Sequence, residues 1–259
     1  MKGAGVIHER LRARIDAKEP IVGGWVAASG EFGVSVFREA GCDFVCLDCQ
    51  HSSLDEAQAA AILARSHGPL PMFVRVSAND PALIGRVADA GADGVIVPMV
   101  NSPEDAARAV DAVHYPPAGR RSFGPIREEL RSMSPAALAA RVMVLPMIET
   151  AEGLQAVEAI CLVAGIAGVY VGPADLAISL GLDPREGATT DLLLDEVGRV
   201  TAACQDAGVI AGMHQPDATA ARKWIVRGLQ LVTLGTDVSF FKSSVAQGVA
   251  SVRTWDTNG

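Results

Sequence analysis

Short apolar runs alternate with alanine-rich stretches of helical period along almost the whole chain. Eight runs read as strands: 21–26 (IVGGWV), 44–49 (FVCLDC), 72–77 (MFVRVS), 94–100 (GVIVPMV), 142–149 (VMVLPMIE), 168–172 (GVYVG), 209–214 (VIAGMH) and 230–235 (QLVTLG). Helical patterns follow them near 31–40, 55–66, 81–90, 103–113, 151–163, 190–206, 217–227 and 238–253. Strands that are apolar on both faces belong to a parallel sheet covered by helices. Eight such units in 259 residues predict an α/β fold, a single (β/α)8 barrel domain spanning 1–259. The punctuation agrees: Pro103 follows Ser102 at a helix start, and Gly41 and Gly91 follow helix ends. One segment breaks the rhythm. Residues 115–134 (YPPAGRRSFGPIREELRSMS) show neither pattern, which predicts a functional or interface element.

In a barrel, chemistry collects at the C-terminal ends of the strands. The strand tips therefore supply the candidates. Trp25 and Ser29 follow the first, and Asp48, Gln50 and His51 the second. Arg75 lies on the third and Asn101 follows the fourth. Glu149 and Thr150 end the fifth, Gly172-Pro173-Ala174-Asp175 the sixth, His214 the seventh, and Thr236 and Asp237 the eighth. Glu149 and Asp175 sit on adjacent strands, close enough to share one cation. Two carboxylates with open positions suit Mg²⁺ or Mn²⁺; capping of the following helix is the plainer role for either acid alone. His51 with Asp48 matches a base and its orienting acid, with a solvent-facing loop histidine as the alternative. A charge such as Arg75 inside a barrel strand needs a partner or a ligand, and an oxyanion or carboxylate is its natural one. For His214 and Asp237 a ring-closing structural hydrogen bond fits as well as a role in the site. None of the four lysines, Lys2, Lys18, Lys223 and Lys242, falls at a strand tip, so Schiff-base chemistry is not expected.

Composition narrows the partners. A net charge of −8, with no basic run beyond Arg120-Arg121, argues against nucleic acid and anionic membranes. No apolar stretch reaches the length of a membrane span, and the charged start of the chain lacks a signal peptide's apolar centre. A cytoplasmic protein is expected. Five cysteines fit reduced thiols better than a disulfide framework. Cys46 and Cys49 form a CxxC on a strand, where they face opposite ways, so neither a redox motif there nor a zinc site at Cys42, Cys49 and His51 is expected.

At these residues the sequence resembles the HpcH/HpaI family of metal-dependent (class II) pyruvate aldolases. The motifs that carry the resemblance are Asp48-x-x-His51, Arg75 in VRV, DAGADGVIVPMV (89–100), YPPAGRRSFG (115–124), MIETAEG (147–153) and VGPADLA (171–177). The resemblance implies a barrel in which Glu149 and Asp175 hold the divalent metal, with Mg²⁺ expected and Mn²⁺ or Co²⁺ as alternatives. It implies that a 2-oxo acid chelates that metal, with its carboxylate received by the Gly172–Asp175 turn. Arg75 would stabilise the enolate oxygen, and His51, oriented by Asp48, would act as base. Trp25 would line the substrate pocket. Asp89 matches an acid that the family places near this dyad, in a reading that allows it to come from across a subunit boundary. The resemblance also implies a homo-oligomer, a hexamer built as a trimer of dimers, with exchange of the last helix. Two positions depart from the well-known members: Gln50 stands where they have Glu, and Met147 where they have Gln. Both border the pocket and bear on aldehyde specificity.

The function expected is reversible cleavage of a 4-hydroxy-2-oxo acid into pyruvate, or a close analogue, and an aldehyde. The alternatives are oxaloacetate-type decarboxylation or an acyl-CoA lyase reaction on the same site, or a non-catalytic barrel module.

Overall fold

In the computed structural model, which describes residues 9–66, 68–185 and 190–254, the eight apolar runs form eight parallel strands closed edge to edge in chain order. The first half of the chain runs α1 (Glu9–Asp16), β1 (Ile21–Val26), α2 (Gly30–Glu39), β2 (Phe44–Asp48), α3 (Glu56–Arg65), β3 (Met72–Arg75), α4 (Pro81–Asp89), β4 (Gly94–Val97) and α5 (Pro103–Val113). Two short helices follow, α6 (Glu128–Arg131) and α7 (Pro135–Ala140), then β5 (Met143–Ile148), α8 (Ala151–Gln155), α9 (Val157–Cys161), β6 (Gly168–Val171) and α10 (Pro173–Ser179). The chain ends with α11 (Asp191–Ala207), β7 (Ile210–Gln215), α12 (Ala218–Val226), β8 (Leu231–Leu234) and α13 (Asp237–Arg253). β8 pairs with β1 to close the ring. The expected (β/α)8 barrel is the fold.

Each strand sends alternate side chains inward and outward. Along β2, Phe44 and Cys46 join the barrel interior with Trp25, Phe73, Ile96, Leu145, Met147, Tyr170 and Leu231. Val45, Leu47 and the following Cys49 pack outward against the helices. Cys46 and Cys49 thus point opposite ways, as the strand period requires. The lower interior is filled by aromatic rings. Phe44 and Phe73 lie 4.7 Å apart, and Gly23 leaves room for the first, since a Cβ there would stand 2.3 Å from its ring.

The structure departs from the sequence expectation in several places, and α7 and α10, like α1, have no counterpart among the expected helices. Helix α1 was not anticipated; it closes the bottom of the barrel, placing Leu11 fully inside the interior cluster with Ile15 beside it. The helix expected over 151–163 breaks at Ala156 into α8 and α9. The segment 115–134 is not wholly irregular, because α6 forms one turn within it, and Tyr115 and Leu130 pack into a small core with Leu138 of α7. Lys2 lies outside the described residues. Lys223 and Lys242 are on α12 and α13, and Lys18 precedes β1, so no described lysine reaches the barrel interior.

The last helix touches the barrel, with Phe240 6.2 Å from Phe37 of α2, but buries little against it. No residue of α13 is buried, although Phe241 and Val252 are about three-quarters exposed and Phe240, Val245 and Val249 face water as well. Between α13 and α2 lies an apolar cavity of about 590 Å³, lined by Phe32, Val36, Phe37, Phe240 and Phe241.

Candidate active site

The strand tips converge on one mouth. The register pairs Asp48 directly with Arg75 on the neighbouring strand, and both side chains point inward. Arg75 Nε donates to Asp48 Oδ1 at 2.8 Å and Nη2 to Oδ2 at 2.7 Å, a two-pronged ion pair with both partners buried. Trp25 Nε1 donates to the same carboxylate at 3.3 Å, and the guanidinium lies 5.0 Å over the indole ring. Burial pushes the Asp48 carboxyl up, but the hydrogen-bonded Arg75 guanidinium outweighs it and holds Asp48 below its ordinary range.

This geometry corrects one expectation. Asp48 does not hold the His51 imidazole. Its oxygens are taken by Arg75 and Trp25, and by the backbone N–H groups of Gln50 and His51 at 3.0 and 3.4 Å. Asp48 therefore fixes the turn that carries His51 rather than the ring. The Ser52 hydroxyl returns to the Asp48 carbonyl, tightening that turn. The His51 side chain is exposed at the rim.

Glu149 follows β5 and is 1% exposed. Its Oε1 accepts the Met99 N–H at 2.7 Å, while Oε2 is buried without a partner. Burial raises the Glu149 carboxyl above its ordinary range; the Met99 N–H opposes this and nearby Asp175 adds to it, while Arg75 and His51 also act on it. Asp175, Arg75 and His51 thus all lie within electrostatic reach of Glu149. Asp175 sits half-buried in the first turn of α10. Gly172 makes the approach possible, for a Cβ there would stand 2.6 Å from Glu149 Oε2 and 2.8 Å from the Met147 methyl. Met147 lines the same wall and is buried. The Gln50 Oε1 atom is also buried without a partner.

A buried, partnerless carboxylate oxygen beside a second carboxylate is a costly arrangement for the protein alone. It fits a hard divalent cation. Among the described residues no group of three or more His, Cys, Asp or Glu side chains could enclose a metal. A cation held by Glu149 and Asp175 would keep positions open for water or substrate oxygens.

Asp89 is not part of this mouth within one chain. It is the last residue of α4, which runs back antiparallel to the strands, and only four residues separate it from the start of β4. It therefore lies at the opposite end of the barrel. There it is paired with buried Arg121 at 2.6 Å, beside a cavity of about 530 Å³ shared with Arg86 and Arg120.

The structure separates His214, on β7, from Asp237, which follows β8. Asp237 ties the barrel shut at the β1–α2 loop, accepting the N–H groups of Ala27, Ala28 and Ser29 and the Ser29 hydroxyl. His214 instead joins the interior of the mouth. Its ring lies 5.4 Å from Trp25, and its Nδ1 is 2.9 Å from Thr233 Oγ1. Burial, with Arg75 adding to it, pushes its pKa down to about 4, so it is neutral at neutral pH.

The HpcH/HpaI aldolase/citrate lyase family model matches residues 22–244. The chain belongs to this family. A hydroxypyruvate/pyruvate aldolase of Rhizorhabdus wittichii is 35% identical over 247 residues, covering 94% of this chain and 98% of its own. A 4-hydroxy-2-oxovalerate aldolase of Rhodococcus jostii is 34% identical, covering 83% and 85%. A crystal structure of a family member from Burkholderia cenocepacia superposes with a TM-score of 0.86 at 33% identity, covering 94% of this chain and 99% of its own. The protein is an enzyme of the family's metal-dependent aldolase class, a carbon–carbon lyase acting on small molecules. No described helix is long and apolar enough to cross a membrane.

Proposed function

We propose that this aldolase reversibly cleaves a 4-hydroxy-2-oxo acid into an aldehyde and either pyruvate or hydroxypyruvate. The observation that carries the reading is the partnerless, buried Glu149 Oε2, set beside Asp175 and within electrostatic reach of Arg75 and His51. Glu149 and Asp175 hold the divalent metal, Mg²⁺ in our reading, with Mn²⁺ or Co²⁺ as alternatives. When bound, that ion supplies positive charge to the oxygens of the 2-oxo acid. The Gly172–Asp175 turn, with Pro173 and Ala174, receives the substrate carboxylate.

The remaining work falls to side chains. His51, exposed at the rim, takes the proton of the C4 hydroxyl. The C3–C4 bond then breaks, the C4 oxygen becomes the aldehyde carbonyl, and the bonding pair passes into the 2-oxo acid as its enolate. The Arg75 guanidinium, locked in place by Asp48 and Trp25, faces the negative oxygen without having to reorganise. Protonation at C3 releases the donor acid. Asp89 acts in this scheme only from a second copy of the chain, whose boundary would have to bring the far end of one barrel to the mouth of another.

We also read the protein as a homo-oligomer, a hexamer of the trimer-of-dimers type. The uncovered apolar side of α13 and the cavity beside it support an exchange of that helix between copies. The five cysteines are all free thiols, which supports a cytoplasmic setting.

The test is synthesis from pyruvate or hydroxypyruvate and a panel of aldehydes, read by product formation, before and after exhaustive chelation. Product that disappears on chelation and returns with Mg²⁺, Mn²⁺ or Co²⁺ is expected. Undiminished synthesis after chelation overturns the metal assignment.

A further inference from the structure

His214 has no part in the scheme above, yet it sits inside the mouth. Its neighbours on β7, Met213 and Gln215, are buried, whereas His214 keeps part of its surface open. The ring shares the interior with Trp25, Arg75 and Asp48.

The hydrogen bonds behind the ring fix which nitrogen carries the proton. Tyr170 is fully buried, and among the described residues its hydroxyl has one partner, Thr233 Oγ1, at 2.6 Å. A buried O–H with a single acceptor donates to it. Thr233 Oγ1, itself fully buried, then turns its own hydrogen to its other partner, His214 Nδ1, at 2.9 Å. Nδ1 accepts, so the proton of the neutral ring is on Nε2. Nε2 has no partner among the described residues and is not among their buried, partnerless atoms, so it lies open to the mouth. The relay Tyr170–Thr233–His214 thus presents one fixed N–H donor to whatever occupies the site.

The strand order says which part of the substrate meets it. Glu149 and Asp175 follow β5 and β6, His214 is on β7 beside β6, and Arg75 is on β3 across the ring. In the reading proposed above, on which this inference rests, the carboxylate and keto oxygens of the donor acid are engaged at β6 and towards Arg75. The other carbon of the donor able to carry oxygen is C3. The aldehyde approaches at exposed His51, on the rim.

We propose that His214 determines donor specificity, its Nε2–H donating to the hydroxyl at C3 of a 3-hydroxy-2-oxo acid, so that hydroxypyruvate is used in preference to pyruvate. A methyl group in that place leaves the N–H without a partner, which is how a polar pocket discriminates.

The test compares wild type with His214→Leu and His214→Gln on both donors, with one aldehyde and saturating Mg²⁺. In His214→Leu, kcat/KM for hydroxypyruvate relative to pyruvate is expected to fall about tenfold, the scale of one hydrogen bond, while pyruvate turnover stays within about threefold. His214→Gln, which places an amide N–H near the Nε2 position, is expected to keep most of the preference. Nitrogen NMR of histidine-labelled protein, which needs no turnover, is expected to show His214 as the Nε2–H tautomer. Equal losses on both donors, a wild type without preference, or an Nδ1–H tautomer each overturn the inference while leaving the aldolase reading intact. A wild type that turns over neither donor sinks that reading, and this inference with it.

Discussion

Arg75 and Asp48 end adjacent strands in register and close on each other through two hydrogen bonds of 2.8 and 2.7 Å, away from water. A buried pair of this kind is costly to break on one side only, because the remaining charge is left without compensation. Arg75→Ala is expected to lower unfolding stability by about 3–5 kcal/mol and to remove activity. Arg75→Lys should recover part of each, since an ammonium cannot copy the planar fork. Urea unfolding of both variants checks this; a loss below about 1 kcal/mol for Arg75→Ala, the range of surface pairs, would show that the pair is not buried in solution.

The opposite sign is expected at Glu149. Burial already disfavours its charged form, so Glu149→Gln should leave the metal-free protein as stable as wild type or more so. What it should lose is the stabilisation that a divalent cation gives. That gain grows as RT ln(1 + [L]/Kd), about 2.7 kcal/mol at a hundredfold excess over Kd. Thermal midpoints with and without Mg²⁺ measure it, and an unchanged Mg²⁺ response in Glu149→Gln would move the metal elsewhere.

His51 and Arg75 divide the labour, and the division can be measured. His51→Ala should lose retro-aldol activity by roughly 10²–10⁴-fold if it is the hydroxyl base. It should lose less on oxaloacetate decarboxylation, which reaches the same enolate with no hydroxyl proton to remove. Arg75→Ala should damage both. Parallel losses in His51→Ala would assign the hydroxyl proton to another group.

Stability itself should carry the signature of His214. Its folded pKa, about 4, lies below the ordinary 6.5. Between these values the unfolded chain binds a proton that the folded chain refuses, so stability falls as the pH is lowered through this window. The full drop attributable to His214 is up to about 3 kcal/mol, at 1.36 kcal/mol per unit. Denaturation curves at pH 7, 6, 5 and 4 should show it, and His214→Gln should flatten the profile. Asp48 works in a different window, because its depressed carboxyl loses its contribution only below about pH 4.

The barrel was legible because its strands are apolar on both faces and its helices keep their period, and both signals are local. Helix α1 was missed because only Leu11 and Ile15 mark its inner side amid charged neighbours, and the floor it covers exists only once the ring has closed. The mouth was legible as a set of strand tips, but not as a set of bonds. Asp48 has two basic neighbours in sequence logic, His51 three residues on and Arg75 on the next strand. The β2–β3 register decides between them, giving the carboxylate to the guanidinium and only the backbone to His51. Asp89 lies at the far end of its own barrel, and a motif match says nothing about which end of the barrel a helix reaches.

Trp25 is where these contacts meet. Its indole donates to Asp48, lies under Arg75, stacks 5.9 Å from Tyr170 and meets the His214 ring edge-on. Trp224, by contrast, sits outside the barrel on α12. A group whose excited state is surrounded by a cation, a carboxylate and an imidazole reports any change among them as a change in emission. The site therefore carries its own optical probe, and titrating the protein with a 2-oxo acid, with Trp25→Phe to account for emission from the other two tryptophans, would follow occupancy of the mouth without waiting for turnover.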